Sequence, residues 1–158
     1  MSVETKTGKY LTFQLADEDY GIALLQIKEI IGMMPITAVP RTPVYVKGVI
    51  NLRGQVIPVT DLRLKFGMDE IDYTDRTCII VVEVHGEVAT VQMGVVVDAV
   101  SEVLQISEDD IEATPSFGAQ VDTEYILGMA NMDEGVKILL DIDRVMSASD
   151  VALLEQAA

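Results

Sequence analysis

The sequence predicts a mainly β protein, two small barrels packed side by side with short helices and a C-terminal helix. Three observations predict it: apolar residues alternate over short runs, turn signals separate the runs, and the chain repeats itself once. Sliding the sequence along itself aligns Gly21–Ile31 with Gly94–Leu104, so that the glycine, a glutamate and the apolar positions coincide. Further on, Gly48-Val-Ile-Asn51 aligns with Gly128-Met-Ala-Asn131, and Asp61-Leu62 with Asp141-Ile142. Two matches in the same order are far harder to obtain by chance than one. The second match is displaced further along the chain than the first, which places a longer connection at Thr114–Thr123, where Pro115 and Gly118 stand among few large apolar residues. Two copies of a β-rich unit of roughly 70 residues suit two barrels, since closure removes the sheet edges that a lone unit would expose.

In chain order, Leu11, Phe13 and Leu15 alternate with Tyr10, Thr12 and Gln14, and the acidic turn Asp17-Glu18-Asp19 leads into Tyr20–Ala23, which reads as a hairpin. Leu24–Ile31 fits a helical turn and a strand equally well. Pro35, Pro40 and Pro43 exclude a long helix after it. Val49–Leu52 and Val56–Leu62 flank Arg53-Gly54-Gln55 as a second hairpin, in which Pro58, lacking an N–H, requires an edge or a bulge. Strands follow at Thr77–Val84, Val88–Val97, Val103–Ile106, Ile126–Met132 and Val136–Ile142. Ser147 with Asp150 resembles a capping box ahead of Val151, Leu153 and Leu154, the one longer helix expected. A single domain over residues 8–156 is expected, with one subdomain at about 20–80, a second at about 90–145, and terminal segments crossing between them.

Composition narrows the function. With 158 residues, 49% of them hydrophobic, the chain can bury one good core or two small ones around a shared interface. Its apolar runs, such as Cys78–Val82, stop far short of the roughly 20 residues that span a bilayer, which predicts no membrane insertion. Met1–Lys9 has no apolar signal core, and the lone Cys78 cannot form an internal disulfide; both suit the cytoplasm, with Cys78 a buried structural thiol. A net charge of −15 opposes binding to nucleic acid, which needs clustered Lys and Arg. That charge is uneven, residues 77–158 carrying nearly all of it, and it reads as a device for solubility or for steering toward a basic partner.

The residues that could carry chemistry are few and scattered. His85 is the only histidine and sits in a polar turn, so neither a metal site nor a nucleophile–base pair is predicted. Asp109-Asp110 and Asp141-Ile-Asp143 lack the glycine and spaced carboxylates of a calcium loop, which leaves them surface or capping roles. No phosphate-binding glycine motif occurs, and no cofactor is predicted.

The string Gly48-Val-Ile-Asn-Leu-Arg-Gly-Gln-Val-Ile-Pro-Val-Thr-Asp-Leu-Arg63 closely resembles the signature of CheW-like coupling domains. Asp19–Ile22, Ile27–Ile30, Gly94–Asp98 and Ile138–Ile142 resemble that family too, in its order and spacing. The turn from His85 to Gln92 is longer than the family pattern. The resemblance implies two five-stranded SH3-like barrels, no enzymatic activity, and an adaptor standing alone, without a receiver or ATP-binding domain. It implies two partners: the cytoplasmic tip of a methyl-accepting chemotaxis receptor and the regulatory domain of the histidine kinase CheA. Carried over motif by motif, it implies receptor contacts at Arg53, Ile27, Glu29 and Ile30, with repeat partners Val100, Glu102 and Val103. The four apolar residues fit a barrel core as well as a groove. An arginine at a hairpin tip beside Gly54 has no evident folding role, whereas its planar donor fork suits a partner's carboxylate or carbonyl. Gly48 and Gly54 serve turns or close backbone approach. Two other readings stay open: an adaptor of the same fold with another pathway output, and a small-ligand-binding β-barrel.

Overall fold

The structure, a computed structural model, describes residues 8–85, 90–112, 125–133 and 135–145. Eleven strands are found among them: β1 Gly8–Leu15, β2 Glu18–Ala23, β3 Ile27–Gly32, β4 Val46–Leu52, β5 Gln55–Asp61, β6 Cys78–His85, β7 Thr90–Val97, β8 Ala99–Ile106, β9 Ile111–Glu112, β10 Ile126–Met132 and β11 Gly135–Leu140. Two one-turn helices, α1 Leu62–Lys65 and α2 Ile142–Val145, follow β5 and β11. The expected C-terminal helix at 147–154 and the connection at 114–123 lie outside the described residues.

The strands form two sheets, ordered β3-β6-β7-β5-β4 and β8-β1-β2-β11-β10-β9. Their topologies match strand for strand: β3, β4, β5, β6 and β7 correspond to β8, β10, β11, β1 and β2. The registers match as well. Parallel pairing sets Val59 against Gly94 in one sheet and Leu139 against Gly21 in the other. Asp61 N donates to Tyr45 O, and Asp141 N to Tyr125 O. Sheet membership changes at two crossovers: Leu24–Gln26 leads from β2 to β3, and Asp98 from β7 to β8. The β1–β2 hairpin is thus the N-terminal segment that completes the sheet of the second half.

Burial explains the continuous apolar runs. On β6, Ile79 and Val81 face the core of the first sheet with Ile50, Ile57, Val59 and Val96, whereas Ile80, Val82 and Val84 face a core shared by both sheets. A strand buried on both faces loses its alternation. The shared core also takes Leu11, Phe13, Leu15, Tyr20 and Ile22 from the second sheet. Phe13, Tyr20, Phe66 and Tyr125 stack in series across the junction, ring centroids 5.8–6.1 Å apart, and each such pair adds about 0.5–1.5 kcal/mol to its area burial. Tyr10, Ile106, Ala130 and Leu139 form the small core of the second sheet.

Both hairpins turn on two residues with positive φ, Ala16-Asp17 (50° and 71°) and Arg53-Gly54 (52° and 87°), the turn whose twist matches the flanking strands. Leu24–Ile31 combines the two readings that its periodicity allowed, a 3-10 turn at Leu24–Gln26 and then β3. Pro58 stands where β5 pairs with β4 alone, before pairing to β7 begins at Val59. Leu62 leaves the strand because Asp61 Oδ1 accepts from Arg63 N at 2.9 Å and caps α1. Strand β8 starts earlier than expected, at Ala99, because Ala99 and Val100 pair with Gln14 and Phe13 beyond a bulge. Cys78 is half-buried rather than buried, since it opens β6 at the rim of the shared core, where its thiol donates to Arg76 O at 3.1 Å.

Candidate protein interaction site

Arg53 and Glu29 stand 24 residues apart in sequence and meet in the structure. Arg53 occupies the β4–β5 turn, where Asn51 Oδ1 accepts from Gly54 N at 2.8 Å and holds the loop closed. Its Nη1 donates to Glu29 Oε2 at 3.3 Å and its Nη2 to Glu29 Oε1, a two-pronged ion pair. The Glu29 hydrogen bond, then its charge, raises the Arg53 pKa further above its ordinary value. Because β3 is one edge of the five-stranded sheet and the β4–β5 hairpin the other, this pair joins the two edges. The Arg53 side chain nevertheless remains 70% exposed, with its cation presented at the surface.

The remaining predicted residues divide by exposure. On β3, Ile27 packs against the shared core, while Ile30 points outward, 44% exposed. On β8, also an edge strand, Val100 packs against the same core, and Val103 points outward, 48% exposed. The repeat thus places one apolar residue of each strand inside and one outside. Glu102 is exposed, and its backbone exchanges hydrogen bonds with the Thr12 hydroxyl. Gly48 faces a backbone: a Cβ there would lie 2.0 Å from Thr37 O, with φ at +143°. Gly54 has open space around it and a φ of +87°, so the turn itself calls for glycine.

A second arginine fork is not apparent from the sequence motifs. Arg63, on α1, donates from Nε to Asp98 Oδ1 at 2.8 Å and from Nη2 to Asp98 Oδ2 at 2.7 Å, and both side chains are largely buried. The repeat does carry a signal for it, because it sets Asp98 against Leu25, an acid against an apolar residue. The acids weighed as cation ligands serve the backbone instead. Asp110 Oδ2 accepts from Ser107 N, and Asp141 Oδ1 from Asp143 N. No group of three or more His, Cys, Asp or Glu suited to a metal occurs among the described residues, nor is any helix among them long and apolar enough to cross a membrane.

A CheW-like domain family model matches residues 9–150. The chain belongs to the CheW-like family. It is 37% identical over 155 residues to the chemotaxis protein CheW of Klebsiella aerogenes, covering 98% of this chain and 91% of that one. It is 34% identical to the CheW of Bacillus subtilis, over 99% and 100% of the two chains. The crystal structure of the scaffolding protein TtCheW from Thermoanaerobacter tengcongensis superposes with a TM-score of 0.79 at 34% identity, covering 91% of this chain and 95% of that one. As a CheW-like protein the chain is a non-enzymatic chemotaxis scaffold, and its mainly β architecture of two sheets is consistent with the two SH3-like barrels expected from the sequence.

Proposed function

We propose that this CheW-like scaffold couples the cytoplasmic tip of a methyl-accepting chemotaxis receptor to the regulatory domain of the histidine kinase CheA, in the cytoplasm. Arg53, Glu29, Ile30 and Val103 form the receptor contact at the surface, with Ile27 and Val100 anchoring their strands beneath. The observation that carries this reading is the exposed Arg53–Glu29 fork beside the outward-facing Ile30, a polar fork and an apolar contact on one strand edge. Arginine is enriched at protein interfaces, where its planar fork supplies directional contacts. The kinase contact is mainly apolar and uses strand-end aliphatic residues, so it survives physiological salt.

The test is a titration of the parent chain and the variants Arg53→Ala, Ile30→Asp and Val103→Asp against a soluble receptor tip and against the kinase regulatory domain. All three variants change exposed side chains, so their melting temperatures stay close to the parent. Each weakens receptor binding by about ten-fold or more and leaves kinase binding within about three-fold of the parent. Receptor binding unchanged in all three variants would show that these edges are not the receptor site.

A further inference from the structure

The two crossovers are the covalent connections between the sheets within the described residues, and they are built differently. At the β7–β8 crossover, Asp98 is held on three sides. Arg63 forks onto it from α1 of the first sheet. Ala16 N, in the β1–β2 turn of the second sheet, donates to its Oδ2 at 2.9 Å. Its own N donates to Gln14 O at 3.0 Å. Arg63 is steadied in turn, with Nη1 donating to Asp69 O at 3.2 Å. At the β2–β3 crossover the repeat puts Leu25 in the place of Asp98, and Leu25 is fully exposed. The places of Arg63 and Ala16 are taken there by Asp143 and His85, which bond to each other: His85 N donates to Asp143 Oδ1 at 2.9 Å. No charged side chain of that crossover can take part, because Leu24 and Leu25 have none.

We propose that the Arg63–Asp98 fork is a positioning device that fixes the angle between the two sheets and thereby the separation of the edge strands β3 and β8. Each crossover runs directly into one of those strands. Asp98 immediately precedes β8, and the β5–α1 segment that carries Arg63 continues from the hairpin whose tip holds Arg53. A change at the fork therefore moves one wall of the proposed receptor contact relative to the other without removing any residue of it. The consequence for binding rests on the receptor reading above; the geometric claim does not.

Spin labels on Lys28 and Ser101, exposed and at matching positions of β3 and β8, report the separation in a Cys78→Ser background, by pulsed electron-electron dipolar measurement. The parent gives one narrow distance. Arg63→Met and Asp98→Asn broaden or shift it well below their melting temperatures. Arg63→Lys, which keeps the charge and loses the fork, falls between, and it supplies the answer if Arg63→Met does not fold. An unchanged distance in folded Arg63→Lys and Asp98→Asn overturns the proposal, because a fork that merely adds stability lowers the melting point without moving the strands. In the same variants receptor binding weakens about ten-fold. A moved distance with unchanged receptor binding upholds the positioning role and overturns the receptor reading instead.

Discussion

The buried cluster of the first sheet is aliphatic, Ile50, Ile57, Val59, Ile79, Val81 and Val96, whereas that of the second is Tyr10, Ile106, Ala130 and Leu139, with a buried lysine on the same strand as Leu139. Lys137 stands at the repeat position of Ile57, on the same face of β11 as Leu139, and is buried. Its Nζ reaches Asp19 at 2.6 Å, where the first sheet has Gln92. The seams differ as well. Arg53 and Glu29 bridge the edges of the first sheet, but the matching places in the second hold Asp133 and Glu102, two acids that cannot bridge each other. One topology is therefore held by apolar packing with an ionic seam in one copy, and by a smaller core with an internal ion pair in the other. A repeat preserves register and close approach more strictly than it preserves the interactions used for stability.

Close approach gives the largest effect. Gly48 and Gly128 are repeat partners, each covered by a short extended segment: Thr37, bridged to Val49, and β9, paired with β10. A Cβ on Gly48 would meet Thr37 O at 2.0 Å, a backbone atom that cannot yield without breaking both Thr37–Val49 hydrogen bonds. A Cβ on Gly128 would meet Ile111 Cγ2 at 2.7 Å and Glu112 O at 3.1 Å. Gly48→Ala is expected to cost about 3 kcal/mol or more, from overpacking together with backbone strain. Gly128→Ala is expected to cost about 1–2 kcal/mol, since a side chain and a two-residue strand can shift. Urea unfolding of the two variants measures the difference, and equal costs would remove this distinction between the copies.

The internal ion pair comes next. Lys137→Ala leaves Asp19 without its partner and opens a hole beside Leu139. Asp19 keeps partial access to water, so the expected loss is about 2 kcal/mol, below the range for a fully buried pair. The double variant Lys137→Ile with Asp19→Gln transplants the residues of the first sheet and is expected to recover most of that loss. Failure of the double variant to recover would mean that the second core is too small for the first core's solution.

The repeat makes much of this architecture legible in the amino-acid sequence. Its aligned glycines and the Asp61/Asp141 pair correspond to real register partners, because such positions are fixed by backbone contacts that sequence spacing encodes directly. The hairpins are legible through alternation and turn residues. Pairings across large sequence separations are not: Arg63 with Asp98, Lys137 with Asp19, and Arg53 with its partner. Arg53 lacks an evident folding role only as long as Glu29 is out of sight. Burial of Ile27 and Val100 against exposure of Ile30 and Val103 is equally illegible, since it depends on which end of each edge strand lies over the shared core, a tertiary placement that strand periodicity does not encode.

The Arg63–Asp98 fork also gives a smaller, pH-dependent contribution that the crossover at Leu25 cannot show. Burial works to raise the Asp98 pKa, but the Arg63 hydrogen bonds, the Ala16 N–H and the Arg63 charge outweigh it and hold the carboxyl below its ordinary value. A carboxyl with a depressed folded pKa contributes stability above its unfolded value of about 3.9 and loses it as the pH falls through the folded value. The melting-temperature gap between the parent and Arg63→Met should therefore be full near pH 6 and shrink below about pH 4. A constant gap through that range would mean that Arg63 stabilises by packing alone.

The smallest effect on stability is expected at the hairpin tip of the first sheet. Arg53 holds a φ of 52°, a conformation that glycine adopts without strain and arginine does not. Arg53→Gly relieves the turn and at the same time removes the bridge to Glu29. The two changes oppose each other, and an exposed ion pair contributes little. Its melting temperature should lie within a degree or two of the parent, at any salt concentration between about 50 and 500 mM, since screening has little left to remove. Asn51 Oδ1 still accepts from the backbone N–H of Gly54, so the hairpin keeps its register. Receptor binding should nevertheless fall as far as it does in Arg53→Ala, because both variants lose the guanidinium. A marked loss of stability in Arg53→Gly would mean that the seam, and not a partner, is what keeps arginine in a turn that glycine fits better.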